Sequence, residues 1–112
     1  MKTVIITGGR DYDDWAILQE VLNFINPDVV VQGGAWGADQ MAVDWAEYNK
    51  KVFLTFNADW NKHGRAAGPL RNKEMLQANP KAVVVAFPGG AGTANCVRTA
   101  VELNMIVLQV HK

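Results

Sequence analysis

Five short, unbroken apolar runs punctuate the chain, and the stretches between them carry hydrophobic residues at helical spacing. The runs are Thr3–Thr7 (TVIIT), Asp28–Gln32 (DVVVQ), Val52–Phe56 (VFLTF), Ala82–Phe87 (AVVVAF) and Ile106–Val110. They are rich in β-branched and aromatic residues and do not alternate with polar ones, the pattern of strands buried on both faces of a parallel sheet. Between the first two runs, Trp15, Leu18, Leu22 and Ile25, flanked by Ile17, Val21 and Phe24, predict a helix over 13–25. Asp13 or Asp14 can cap its start, and Asn26-Pro27 ends it.

Ala38, Met41, Ala42, Trp45 and Ala46 mark one stripe of a second helix that starts near Trp36 or Gly37 and ends near Asn49. Asn57–Gly68 (NADWNKHGRAAG) has no clear period and reads as a long loop, a class uncommon unless functional, so it is expected to lie over a site. Pro69 opens a short third helix that reaches about Ala78, where Asn79-Pro80 breaks it. A fourth helix spans about Thr93 to Asn104. Strands and helices therefore alternate strictly, which predicts an α/β fold: one Rossmann-like three-layer sandwich over residues 1–112, with a five-stranded parallel sheet covered by helices on both faces. The expected strand order is 3-2-1-4-5, because that order brings the glycine-bearing ends of strands one, two and four together.

Composition narrows the function classes. At 112 residues, 49% hydrophobic and 20% charged, the chain suits one ordinary globular domain. Lysine plus arginine balances aspartate plus glutamate, so no global positive field gathers nucleic acid, and a nucleic-acid partner is not expected. Cys96 has no cysteine with which to pair and lacks the companions of a zinc site; a reducing cytoplasm fits, and no metal or cofactor is expected. The apolar run at the N-terminus is too short for a signal-peptide core, and no run approaches the ~20 residues that span a bilayer, so no membrane partner is expected.

Candidate chemistry sits in the loops. Gly8-Gly9 follows strand one, Gly33-Gly34 follows strand two, and "FPGGAGTANC" (Phe87–Cys96) follows strand four. A glycine-rich turn entering a helix presents backbone N–H groups to an anion, with the helix dipole adding to the attraction. Gly89, Gly90 and Gly92 can form such a cradle, and Thr93 can add a hydroxyl or cap the helix. No loop matches GxxxxGK[ST] or a clean GxGxxG, which argues against a nucleoside triphosphatase or an ordinary dinucleotide dehydrogenase. Arg10 and Arg71 are candidate phosphate clamps with surface ion pairing as the alternative, and Arg65 is a third. Asp39 can accept ribose hydroxyls or merely complement its helix dipole. Trp36 and Trp60 lie in loops at the expected ligand end, where they can stack on a base, while Trp15 and Trp45 fit helix stripes and belong to the core or a dimer surface. His63 acts as an acid or base only if it points inward, and Arg98 is placed on an outer face or an interface.

Four ordered stretches carry a resemblance across nearly the whole chain: "GGRDYDD", "VVVQGGAWGADQMAVDWA", "FNADWNKHGRAAGPLRNKEML" and "AVVVAFPGGAGTANCVRTA". Together they resemble the YspA/YpsA-related branch of the SLOG superfamily, which groups DprA-like proteins with LOG-like nucleotide phosphoribohydrolases. The resemblance implies a Rossmann-like fold that binds a nucleotide or nucleotide-derived ligand. LOG-type enzymes hold phosphate on a PGGxGTxxE loop, matched here by Pro88, Gly89, Gly90, Gly92 and Thr93, but their catalytic glutamate falls on Cys96. Arg71 and Met75 match a further LOG feature, and in the closer branch the second loop often carries a basic residue where Trp36 stands.

The departure at position 96 favours a binding module, a sensor or sequestering protein, over an enzyme. A small buried residue is the simpler reading of Cys96, which shares its helix spacing with Ala100 and Leu103. The alternative is a phosphoribohydrolase or ribosyl-transfer enzyme in which Asp39, Asp59 or Glu74 replaces the glutamate. A second alternative, DprA-like binding of single-stranded nucleic acid, is opposed by the zero net charge. Pairing of two copies is compatible with the resemblance.

Overall fold

The computed structural model describes residues 1–112. The strands β1 (Thr3–Thr7), β2 (Val29–Gln32), β3 (Val52–Thr55), β4 (Val83–Ala86) and β5 (Val107–Gln109) form one sheet in the order β3-β2-β1-β4-β5, with every pairing parallel. The helices are α1 (Trp15–Ile25), α2 (Ala38–Tyr48), the short α3 (Trp60–His63), α4 (Ala67–Ala78) and α5 (Ala91–Glu102), with a 3-10 turn, Gly64–Ala66, between α3 and α4. The expected α/β sandwich and its strand order are thus the observed ones.

Alternation within the central strands builds two cores. Val4, Ile6, Val30 and Val85 turn to one face, where Leu18 and Leu22 of α1 and Ala42, Trp45 and Ala46 of α2 cover them. Ile5, Val31 and Val84 turn to the other, against Met75 and Leu76 of α4 and Cys96 and Ala100 of α5. Val4, Ile5 and Ile6 are wholly buried, and each such aliphatic side chain contributes roughly 1.5–3 kcal/mol relative to exposure. Asp14 caps α1, accepting from the Ile17 N–H at 3.1 Å, and Asn26 ends it in the left-handed region at φ 52°.

Two expectations are corrected. Burial on both faces holds only for the central strands: Val52, Phe53 and Leu54 of β3 and Leu108 of β5 are all exposed. These are the sheet edges, with a strand on one side only, and the helices centre over β1, β2 and β4. Nor is 57–68 a loop throughout. Asp59 accepts from the Lys62 N–H at 3.1 Å and starts the single turn of α3, and the 3-10 turn runs directly into α4. Helix α4 begins at Ala67, so Pro69 is its third residue, still within the first turn, where its missing N–H costs no bond. Helix α5 likewise starts two residues earlier than periodicity indicates, placing Gly92 and Thr93 in its first turn. No helix is long and apolar enough to cross a membrane.

Candidate functional site

A cavity of about 820 Å³ opens beyond the carboxyl ends of β1, β2 and β4. Strand order reverses here, since the chain moves outward from β1 through β2 to β3 and then returns to the other side of β1 as β4. Parallel sheets leave a crevice at such a point because successive crossovers depart in opposite directions. The walls come from all three glycine loops, the α3–α4 segment and the first turn of α5.

Most of the loop glycines answer to close packing within the protein. The Gly9 N–H donates to the Pro88 carbonyl at 2.9 Å, tying the first loop to the third, and the Ala38 N–H donates to the Gly9 carbonyl at 3.3 Å, tying it to the second. A Cβ on Gly37, whose φ is 76°, would run into the Gly9 carbonyl, and one on Gly89 would collide with Thr93 Oγ1 and lie 2.7 Å from the Gly9 nitrogen. A Cβ on Gly8 would lie 2.5 Å from Ala38 Cβ, and one on Gly33 would lie 2.6 Å from Arg71 Cζ.

Gly90 and Gly92 are different. A Cβ added to either meets nothing within 4 Å, neither has a positive φ, and both line the cavity. Gly90 is the N-cap of α5, and no side chain caps that helix. Its first-turn N–H groups therefore lack the side-chain partner that Asp14 supplies to α1.

Below this helix end lies a polar network. Asp39 is only 6% exposed, and its Oδ2 accepts from the N–H groups of Gly33 and Ala35, both at 3.2 Å, so the carboxylate fastens its own β2–α2 loop. Burial pushes the Asp39 carboxyl up to about 6; the two backbone N–H bonds and the Arg71 charge offset that only in part. Arg71 donates through Nη1 to the carbonyls of Gly33 and Phe56 and through Nε to Asn72 Oδ1 at 2.9 Å. Two of its three nitrogens are thus committed to the protein. Buried Asn72 in turn donates to Asn95 Oδ1 at 3.1 Å and to the Gly92 carbonyl at 3.3 Å, connecting α4 to the start of α5.

Of the residues singled out in the sequence, Gly8, Gly9, Arg10, Gly33, Gly34, Trp36, Asp39, Trp60, Arg65, Arg71, Gly90, Gly92 and Thr93 all line the cavity. Trp36 and Trp60 are 75% and 50% exposed, and Arg10 and Arg65 also reach solvent. Pro88 and Gly89 are not in the lining; they join the third loop to the first. Asp59 is occupied as the α3 cap, Glu74 and His63 are exposed, and none of the three lines the cavity. Arg98 is exposed on α5, Trp45 is buried with its Nε1 donating to Asn23 Oδ1, and Trp15 is partly exposed.

Cys96 lies outside the lining, fully buried in the core beneath α5. Burial pushes its thiol up to about 11, against a hydrogen bond with Thr7 and the Arg71 charge, so the reactive thiolate is scarce at neutral pH. Sequence reasoning passed over Asn57, Asn72 and Asn95. The asparagines at 72 and 95 sit on the helices either side of the cavity, and only their pairing across 23 positions gives them meaning. Among titratable side chains the lining holds three arginines and a single carboxylate, with no lysine, histidine or cysteine.

Residues 2–63, which carry β1 to α3 and the first two glycine loops, match the YspA, cpYpsA-related SLOG family. The chain is also similar to the Gene 61 protein of Mycobacterium phage D29, with 38% identity over an alignment that covers 96% of this chain and 95% of the relative. Motif order, fold and sequence likeness agree, and the chain belongs to the YspA- and cpYpsA-related SLOG family.

Proposed function

We propose that the protein binds a nucleotide or nucleotide-derived ligand in this cavity, with a phosphate on the first turn of α5 and the base against Trp36 or Trp60, and that it acts as a sensor or sequestering module. The observation that carries the reading is the pair Gly90 and Gly92. Neither glycine has a positive φ or a neighbouring group within 4 Å of where its Cβ would stand, and both lie where a Cβ would project into space beside an uncapped helix N-terminus. Glycine in a helix costs roughly 0.5–1 kcal/mol relative to alanine, so its use at Gly92 is accounted for by close approach of a ligand to the backbone. Membership of the SLOG family supports a nucleotide-related module.

Thermal unfolding in the presence of a nucleotide panel tests the reading. A site with a dissociation constant of about 1 μM gives roughly 2.7 kcal/mol of stabilisation at 100 μM ligand, a readily measured rise in Tm. A Tm unmoved by every nucleotide at millimolar concentration contradicts it.

One observation favours a second reading, cleavage of an N-glycosidic bond. Asp39 is the single carboxylate in the lining, and its raised pKa lets it hold or release a proton near neutrality. Asp59 and Glu74 are not among the lining residues, so this reading rests on Asp39. Free base released from nucleoside monophosphates by the wild-type protein, and lost in Asp39→Asn, would decide for the enzyme.

A further inference from the structure

The charges of the cavity are unlike those of the protein as a whole. The chain is neutral overall, yet the lining sets three guanidinium groups against one carboxylate, an excess of two positive charges. That carboxylate and one of the arginines are already engaged: Asp39 holds the N–H groups of Gly33 and Ala35, and Arg71 holds the carbonyls of Gly33 and Phe56. The excess therefore resides on Arg10 and Arg65, whose side chains reach solvent and make none of the hydrogen bonds that tie Arg71 to the protein.

These two arginines enter from different walls. Arg10 follows Gly9, whose backbone is tied to Pro88 and to Ala38, so Arg10 belongs to the first loop, held between the loop that leads into α5 and the start of α2. Arg65 lies in the 3-10 turn that leads into α4. The uncapped first turn of α5 already suits one phosphate group. Two further cations on separate walls exceed what a single phosphate needs, and guanidinium groups bind phosphate oxygens bidentately with charge-assisted hydrogen bonds. The cavity, toward the upper end of the roughly 300–1,000 Å³ typical of small-molecule sites, has room for a second phosphate.

Resting on the nucleotide reading above, we infer that the ligand carries a diphosphate, as a nucleoside diphosphate or a diphosphate-bridged nucleotide does, and that Arg10 and Arg65 select it over a monophosphate. One phosphate sits on the α5 turn beside Arg10, and the second is drawn toward Arg65. Arg71 positions the second loop and the buried Asp39 rather than gripping phosphate with its full fork.

Isothermal titration calorimetry with AMP, ADP, GMP and GDP, and with inorganic phosphate and pyrophosphate as probes free of any base, tests this. The diphosphate member of at least one pair binds at least about tenfold more tightly than its monophosphate counterpart, an advantage of about 1.4 kcal/mol. Arg10→Ala and Arg65→Ala each reduce that preference to less than about threefold, while Arg98→Ala, an exposed arginine outside the cavity, leaves it intact. Circular dichroism confirms that these surface variants fold. If mono- and diphosphates bind equally well to the wild-type protein, or if the preference survives both cavity arginine substitutions, the diphosphate inference is overturned and the nucleotide reading stands. If no nucleotide, phosphate or pyrophosphate binds, both fall.

Discussion

Gly37 and Gly92 both stand at the start of a helix that follows a central strand, one as the N-cap of α2 and the other in the first turn of α5, yet they are glycine for opposite reasons. Gly37 has a φ of 76° and faces the backbone of Gly9 and Arg10 so closely that no side chain fits. Gly92 lies in the helical turn with nothing within 4 Å of where its Cβ would stand. One glycine serves the protein's own packing, and the other leaves space beside a cavity wall. The contrast extends to helix ends: α1 is closed by its Asp14 cap, whereas α5 has no side-chain cap and opens on the cavity. Glycine enrichment in a loop is therefore not itself a measure of ligand contact, since Gly8, Gly9, Gly33, Gly34 and Gly89 are all crowded by the fold.

The largest effect that tests this comparison is Gly37→Ala. A left-handed backbone and a collision with main-chain oxygen, which cannot swing aside as a side chain can, should together cost about 3 kcal/mol or more, seen as a large fall in the urea midpoint. A near-neutral result would remove the packing half of the comparison.

On the same packed side lies Asp39. Its folded carboxyl titrates near 6, above its ordinary 3.8, so between these values the native state binds more protons than the unfolded chain. Stability from this group is accordingly greatest below about pH 4 and is lost as pH rises through about 6, amounting at most to about 3 kcal/mol by pH 7. Urea unfolding from pH 4 to 7 should show that decline in the wild-type protein relative to Asp39→Asn, and parallel pH profiles would contradict it.

Trp36→Ala probes the open side. Because the ring is 75% exposed, stability should change by no more than about 0.5 kcal/mol, while loss of base stacking should weaken nucleotide binding by about 1–3 kcal/mol. Equal affinity in the variant would remove Trp36 from recognition.

The smallest stability change gives the sharpest discrimination. Gly92→Ala should raise stability by up to about 1 kcal/mol, since alanine is the better helix residue and the site is sterically free, yet nucleotide affinity should fall about tenfold. A variant that is both more stable and equally good at binding would erase the distinction between the two kinds of glycine.

The parallel sheet and its helices were legible because TVIIT, DVVVQ and AVVVAF are continuous apolar runs that only a two-sided burial explains, and α1 announced itself with a capping aspartate. The same signal misled at VFLTF, since an apolar run does not reveal whether its strand lies at the centre or the edge. The segment after it was misread because a four-residue helix followed by a 3-10 turn is too short to display a period; the Asp59–Lys62 capping bond was its local clue. Most candidate site residues were drawn from strand ends and do line one cavity. Asp59, Glu74, Pro88 and Gly89 do not, because proximity to a motif along the chain does not specify which way a side chain or a carbonyl faces.

By itself, then, the sequence determined the alternation of strands and helices and the places where glycine ends a strand. Those follow from local periodicity and residue identity. Only the tertiary structure decided which glycines are crowded and which are open, that Arg71 is held while Arg10 and Arg65 are free of its bonds, and that Cys96 lies in the core rather than in the cavity. Each of these depends on contacts between loops and helices tens of residues apart, and such contacts exist only once the sheet has brought its three glycine-bearing ends together.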